Sequence, residues 1–291
     1  MIVHMRVPIA VDVFSAGPTL RGDQWPGDGP PVVLLHSGIT DRRGWRLVGE
    51  RLSTSGFRVV AYDMRGFGDT ALTDEPFSHE RDLIAVLDEL GLEHVWIVGN
   101  SLGGRVALDA ALIASERIGG LVLIAPGISG TRRPELLDPN TDALVQQLEA
   151  ADAAGDVDEV NRLEIRIWLD GPASPEGRVS GPVRALALAM NAIALRNSAP
   201  EGAGASGLNA WDRLDEIRLP TTVACGELDI PFMIERCEEL VTRLPNANLR
   251  MLPGVAHLPP LEDPAMVADL ILKVVRTRGL PAVKQGSWRT L

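Results

Sequence analysis

The run Gly99-Asn100-Ser101-Leu102-Gly103 sets a serine between two glycines, behind the apolar residues Val95 to Val98 and ahead of Val106, Ala107 and Leu108. A serine hydroxyl is a weak nucleophile, so it must stand exposed on a tight turn where a base can reach it. A strand-to-helix turn meets that need. The helix that leaves it aims free N-terminal amides at the oxygen on which negative charge will develop. Side chains at 99 or 103 would collide across such a turn. A phosphate-binding loop also joins a strand to a helix. A dinucleotide loop, however, wants glycine at position 101, and a Walker loop wants Lys-Ser/Thr after the last glycine, where Arg105-Val106 stand. A plain surface turn that contains serine stays open for the motif alone, so its partners decide.

Two partners follow. Asp229 closes Gly226-Glu227-Leu228-Asp229 after a predicted strand over 221–225, and His257 closes Gly254-Val255-Ala256-His257 after one over 248–252. Ser101, Asp229 and His257 thus fall at the C-terminal ends of three predicted strands, the edge where open parallel sheets place their ligands. Asp63 and Glu227 compete for the acid's role, and Asp229 by itself also reads as a turn residue. His4, His79 and His94 have no partners at useful spacing, and no metal-ligand pattern is present.

These residues need a frame, and the patterning supplies one. Alternation over 7–14 that breaks at Gly17-Pro18 predicts an antiparallel edge strand with a hairpin, followed by a Gly/Pro/Asp-rich loop over 22–31. Continuous apolar runs over 32–36, 58–62, 95–98 and 121–125 predict strands buried on both faces. Between them lie predicted helices: a short one over 45–52 stopped by Gly56, and one begun by Ser78 as cap, carrying Leu83, Ile84, Leu87 and Leu90, and stopped by Gly91. This alternation implies right-handed βαβ units and a mostly parallel α/β sheet with helices on both faces. Over 130–207 the strands vanish. Helices are expected at 141–150, through Val157, Val160, Leu163 and Ile167, and over 183–195, the last apolar almost all round and so expected to pack under something or line a cavity. A Gly/Ala-rich linker at 201–207 follows. Sheet logic then resumes with strands at 221–225 and 248–252 and a helix over 233–244. A last helix has Asp263 at its cap, Pro264 in its first turn and Lys273, Arg276 and Arg278 near its end. The expected organisation is a core over 1–129 and 208–291 with a helical cap over 130–207.

Composition narrows the functional classes. The 291 residues are 45% hydrophobic and 23% charged, as in an ordinary globular chain, and the net charge of −11 argues against nucleic acid or an anionic membrane as partner. With aromatics at 4% and Tyr62 the single tyrosine, stacking platforms for sugars or bases are scarce. Cys225 and Cys237 have neither Cys-x-x-Cys nor metal spacing and read as buried free thiols. The first residues lack a signal-peptide pattern and no run reaches membrane-span length, so a cytoplasmic monomer or homodimer is expected.

The chain resembles α/β-hydrolase fold proteins nearly from end to end, in particular the capped serine ester and lactone hydrolases. The matching pieces are His36-Ser37-Gly38, Asp63-x-Arg65-Gly66-x-Gly68, Gly99-Asn100-Ser101-Leu102-Gly103-Gly104, Gly226-Glu227-Leu228-Asp229 and Gly254-Val255-Ala256-His257, all in register. The resemblance implies Ser101 as nucleophile, His257 as general base and then acid, and Asp229 as the group that holds the imidazole's tautomer. It implies an oxyanion hole from the N–H groups of Leu102 and Gly38, with Ile39 the alternative, because Ser37 stands where the family usually has glycine. It implies that Asp63 organises a loop and that His36 braces the oxyanion loop. No cofactor or metal is called for. The elbow with Asn100 is similar to that of carbon–carbon bond hydrolases of ring-cleavage diketone acids. The stretch from His36 to Trp45 looks more like enol-lactonases. A small ester or lactone is therefore the expected substrate, with carbon–carbon hydrolysis second and a receptor-like binding protein on the same fold third. Ile39, Trp168, Met190 and Leu258 are candidate substrate contacts, with Leu169, Leu186 and Ile193 as further cap walls. Arg42, Arg43 and Arg166 could bind a carboxylate but are expected to be solvated instead.

Overall fold

The computed structural model of the chain describes residues 8–14, 19–132, 134–197, 204 and 206–278. The expected turn at Gly17-Pro18, most of the linker (201–203 and 205), the tail from Gly279 and residues 1–7 lie outside the described residues.

The described residues form one eight-stranded sheet. Its strands are β1 (Ile9–Phe14), β2 (Thr19–Trp25), β3 (Pro31–Leu35), β4 (Arg58–Tyr62), β5 (Val95–Asn100), β6 (Ile118–Ile124), β7 (Thr221–Gly226) and β8 (Ala247–Leu252). They lie in the order β1-β2-β4-β3-β5-β6-β7-β8. β2 is antiparallel to both of its neighbours, and every later pairing is parallel. The connecting helices are α1 (Arg46–Thr54), α2 (His79–Glu89), α3 (Leu102–Ile113), α4 (Pro139–Ala153), α5 (Val157–Ile165), α6 (Gly181–Arg196), α7 (Pro231–Arg243), the short α8 (Pro259–Glu262) and α9 (Pro264–Arg278). None is long and apolar enough to cross a membrane.

The period-2 side-chain alternation of a strand explains why the central runs are apolar throughout. In β5, Val95 and Ile97 join one core with Leu87 of α2, Val106 of α3 and Leu240 of α7. Trp96 and Val98 join the other, with Val48 and Leu52 of α1 and Val267 and Ile271 of α9. Both faces are covered, so neither can be polar. Asp263 caps α9 as expected, its Oδ1 accepting the Met266 N–H at 2.8 Å.

Three local expectations are corrected. Residues 22–25, assigned to a loop, belong to β2, because pairing to β1 on one side and β4 on the other satisfies a backbone whose Gly and Asp have weak strand preference. Leu20 and Trp25 anchor that strand in the core. Ser78 occupies the cap position of α2 with extended backbone, but its hydroxyl bonds nothing. The helix α6 buries only Ala187, Met190 and Asn191, because α4 to α6 form a single layer inserted between β6 and β7, in which α6 packs chiefly on α5.

Candidate active site

Ser101 sits between β5 and α3 with φ 51° and ψ −109°, a region that type II′ turns reserve mainly for glycine. Holding a non-glycine residue there costs about 1–3 kcal/mol. Three backbone bonds impose it. The Ser101 N–H donates to Ile124 O (2.9 Å), and its carbonyl accepts from Arg105 (3.1 Å) and Gly127 (2.9 Å). The turn is closed by contact between backbones. A Cβ on Gly99 would lie 2.3 Å from Gly103 O, and one on Gly103 would lie 2.3 Å from Leu35 O. Gly103→Ala must therefore push α3 off β3, and is expected to destabilise the protein by about 1–3 kcal/mol in urea unfolding. An unchanged midpoint would show that this contact is not tight.

Two unused donors lie near each other beside this turn, one at the start of α3 and one in the loop after β3. Among the described residues, the Leu102 and Gly38 N–H groups have no protein acceptor, and a Cβ on Gly38 would come 3.8 Å from Leu102 Cβ. The Ile39 N–H is already bonded to Ser37 Oγ (3.3 Å). Of the two alternatives in this loop, Gly38 is the one with a free donor.

His257 and Asp229 meet from different elements. Asp229 follows β7 and His257 follows β8, and His257 Nδ1 lies 2.8 Å from Asp229 Oδ2 with both side chains buried. An ionised carboxylate only accepts, so Nδ1 carries the proton and Nε2 is left with its lone pair. Asp229 Oδ1 accepts the Ile230 N–H at 2.7 Å, which fixes the carboxylate's rotation. The His257 N–H donates to Trp168 O (3.1 Å), and the two rings lie 4.4 Å apart at 45°. Asn100 ties the elbow to this loop, its Nδ2 donating to His257 O (3.0 Å) and Ile124 O (3.1 Å).

The two rival acids stand elsewhere, one exposed and one already paired. Glu227 is exposed. Asp63 is fully buried, accepts the Arg42 and Asp69 N–H groups at 2.8 Å each and pairs with the Arg42 guanidinium. Burial pushes its carboxyl up to about 6, against the pull of Arg42 and those two amides. His36 uses both ring nitrogens: Nδ1 donates to Ser37 O (2.8 Å) and Nε2 accepts from the Met64 N–H (3.0 Å). It braces the loop that carries Gly38, as expected.

Burial lowers the His36 imidazole to about 4. A depressed histidine contributes stability that is full above its ordinary value near 6.5 and is lost as pH falls from there toward 4. Between pH 7 and pH 5 its share of the loss is about 2 kcal/mol. In His36→Gln, whose side chain retains an acceptor for Met64, the fall in stability over that window should be smaller by this amount. Equal falls in the two proteins would refute the assignment.

The four candidate substrate contacts divide. Ile39 and Leu258 gather with Ile165, Leu169 and Ala187 of the insertion in one apolar cluster beside His257. Trp168 lies on the His257 ring. Met190 is buried on α6, one helical turn from Ala187 and on its face. The expectation that Arg42, Arg43 and Arg166 are solvated holds for Arg43, whose side chain is 40% exposed, and is corrected for Arg42 and Arg166. Arg42 faces Asp23, Asp63 and Asp69, Arg43 pairs with Asp41, and Arg166 is buried, donating to Gly171 O at 2.6 Å and to the carbonyls of Pro172 and Ser174. Each carbonyl or carboxylate that the folded chain would otherwise bury unpaired claims a guanidinium. Cys225 and Cys237 are buried free thiols, and Cys225 Sγ lies 3.8 Å from Asp229 Oδ2. Among the described residues no group of three or more His, Cys, Asp or Glu is placed to hold a metal ion.

Sequence reasoning missed Glu262. Its side chain is buried at the end of α8, and its carboxylate accepts the N–H groups of Ala256 (2.8 and 3.0 Å) and Leu258 (3.1 Å), the two residues that flank His257. The available clue was a lone carboxylate closing the apolar stretch Leu258-Pro259-Pro260-Leu261.

Residues 32–270 match the profile of the alpha/beta hydrolase family. A 2-hydroxy-6-oxononadienedioate/2-hydroxy-6-oxononatrienedioate hydrolase from Comamonas testosteroni is 30% identical over 79% of this chain and 82% of its own length. The structure superposes on a thermophilic esterase from Thermogutta terrifontis with a TM-score of 0.73 at 25% identity, covering 93% of this chain and 99% of that one. An enol-lactonase from Burkholderia xenovorans LB400 gives 0.69 over 91% and 99% of the two chains, and at 20% identity that likeness speaks for the fold alone.

Proposed function

Since this chain belongs to the alpha/beta hydrolase family and is a hydrolase, we propose that it cleaves small, uncharged carboxylic esters or lactones through an acyl-enzyme on Ser101. The observation that carries this reading is the strained Ser101 at the head of α3, beside two N–H groups without protein acceptors. Ser101 Oγ attacks the acyl carbonyl carbon while His257 Nε2 takes its proton. The Leu102 and Gly38 N–H groups receive the oxyanion, each worth about 2.7–4 kcal/mol in the transition state. The alkoxide leaves with the proton from His257, and water repeats the sequence to release the acid and restore Ser101. In this reading α4 to α6 act as the cap over 130–207, and Ile39, Leu258 and Trp168 form the apolar wall against which the acyl group packs.

The second reading, cleavage of a carbon–carbon bond beside a carbonyl, is favoured by the Comamonas relative, whose substrate name is that of a diacid. Such a substrate needs a cation. Arg42, Arg166, Arg178 and Arg184 are each committed to acceptors of the chain itself, which favours an uncharged acyl substrate. The test is to label the protein with a fluorophosphonate, locate the adduct by mass spectrometry, and compare kcat/KM for neutral esters and lactones of graded length with that for a ring-cleavage dienoate. Labelling of Ser101 with preference for the neutral series is expected. No adduct, preference for the dienoate, or tight binding without turnover would overturn it.

A further inference from the structure

The geometry points to Arg178, together with Glu262, as a positioning pair through which the helical insertion sets His257 in place; this rests on His257 being the base of the proposed reaction. The pair stands at the centre of a chain of contacts that runs from the insertion into the core. At its far end Asp170, fully buried, accepts the N–H groups of Gly177 (2.9 Å) and Val179 (3.1 Å), the two neighbours of Arg178, and pairs with Arg184 at 2.7 Å. The backbone that presents Arg178 is thereby gripped on both sides. At the near end Glu262 grips the backbone that presents His257 in the same way, through Ala256 and Leu258.

Arg178 joins the two grips. Its guanidinium donates to Leu169 O (2.6 Å) and Asp170 O (2.7 Å) in the insertion, to Gly254 O (3.0 Å) in the histidine loop, and to the Glu262 carboxylate. Arginine suits this place because one rigid fork serves several acceptors in fixed directions, which an ammonium does not. The side chain of Glu262 is 2% exposed, so water cannot replace Arg178 as its counter-charge without opening the loop. Burial pushes the Glu262 carboxyl up, and Arg178 and the two amides pull it down. Without the guanidinium, the neutral form is favoured and its hold on the amides of Ala256 and Leu258 weakens.

Neither residue touches the reacting atoms in the proposed mechanism. They act through the loop, so their loss should change how well Nε2 is aimed and leave substrate affinity largely alone. A misplacement of about 1 Å at a catalytic group costs on the order of a hundredfold in rate. The experiment compares Arg178→Met, Arg178→Lys and wild type, with active sites counted by fluorophosphonate so that unfolded protein does not enter the rate. For Arg178→Met, kcat per active site should fall about ten- to a hundredfold with KM nearly unchanged. Arg178→Lys, which retains the charge beside Glu262, should recover part of that loss. In proton NMR, the downfield resonance of the His257 Nδ1–H, identified by its absence in His257→Gln, should broaden or vanish in Arg178→Met. A higher KM with unchanged kcat would make Arg178 a substrate contact and overturn the proposal. So would an unchanged rate per active site, or an unaltered resonance. The NMR comparison needs no substrate, so a wild type without esterase turnover would sink the acyl chemistry while the positioning pair is still read from the resonance.

Discussion

Ser101→Ala is expected to lose about six orders of magnitude in kcat toward p-nitrophenyl esters and to take up no fluorophosphonate. The methyl group of alanine leaves the elbow's backbone, the free N–H groups and the His257–Asp229 bond in place, so what remains is the binding and oxyanion contribution without a covalent path. A loss below about a hundredfold would mean that another group, or water activated by His257, carries the reaction. A second variant separates chemistry from strain. Ser101→Gly removes the Cβ that makes φ 51° and ψ −109° costly. The strain relieved is about 1–3 kcal/mol, and glycine gives back about 0.5–1 kcal/mol through the freer unfolded chain. A net gain near 1 kcal/mol should raise Tm by about 1.5–2 °C. Ser101→Gly should therefore be inactive and more heat-stable than wild type. A lower Tm would show that the strain is smaller than the dihedral angles imply.

Asp229→Asn is expected to cost about four orders of magnitude in kcat with little change in urea midpoint. The reason lies in the Ile230 N–H, which sits 2.7 Å from Oδ1. An asparagine placed here must keep its carbonyl oxygen toward that donor, which turns its NH2 toward His257 Nδ1, 2.8 Å from the present Oδ2. Nδ1 must then accept rather than donate, the ring proton moves to Nε2, and Nε2 can no longer take the proton of Ser101. The substitution changes no volume and removes no hydrogen bond, so the effect is one of tautomer. A loss under tenfold would remove Asp229 from the acid's role. Asp63 would not inherit it, since its carboxylate is fully occupied by Arg42 and the amides of Arg42 and Asp69.

Much of this site is legible in one dimension because its parts are short and local. The strand, the glycines and the first turn around Ser101 are consecutive, and steric limits across a tight turn act between residues 99 and 103. The same holds for the runs of β3 to β7, whose burial on two faces leaves few polar positions to read. The second half of β2 escaped the reading because its stability comes from partners on both edges, and propensity within 22–25 says nothing of them. Arg42 and Arg166 escaped for a related reason: a guanidinium looks solvated until the fold decides which carbonyls and carboxylates would otherwise be buried unpaired.

The sequence by itself determined that a serine stands at a strand-to-helix turn, that Asp229 and His257 follow at the ends of two later strands, and that helices interrupt the sheet between β6 and β7. Each of these is set by neighbours within a few residues. Only the tertiary structure decided what holds the histidine: Asn100 bonds its carbonyl across 157 residues of chain, and Arg178 reaches Glu262 across 84. Such pairs leave no periodic trace, because a hydrogen bond depends on where two side chains meet in space and not on their separation in the chain.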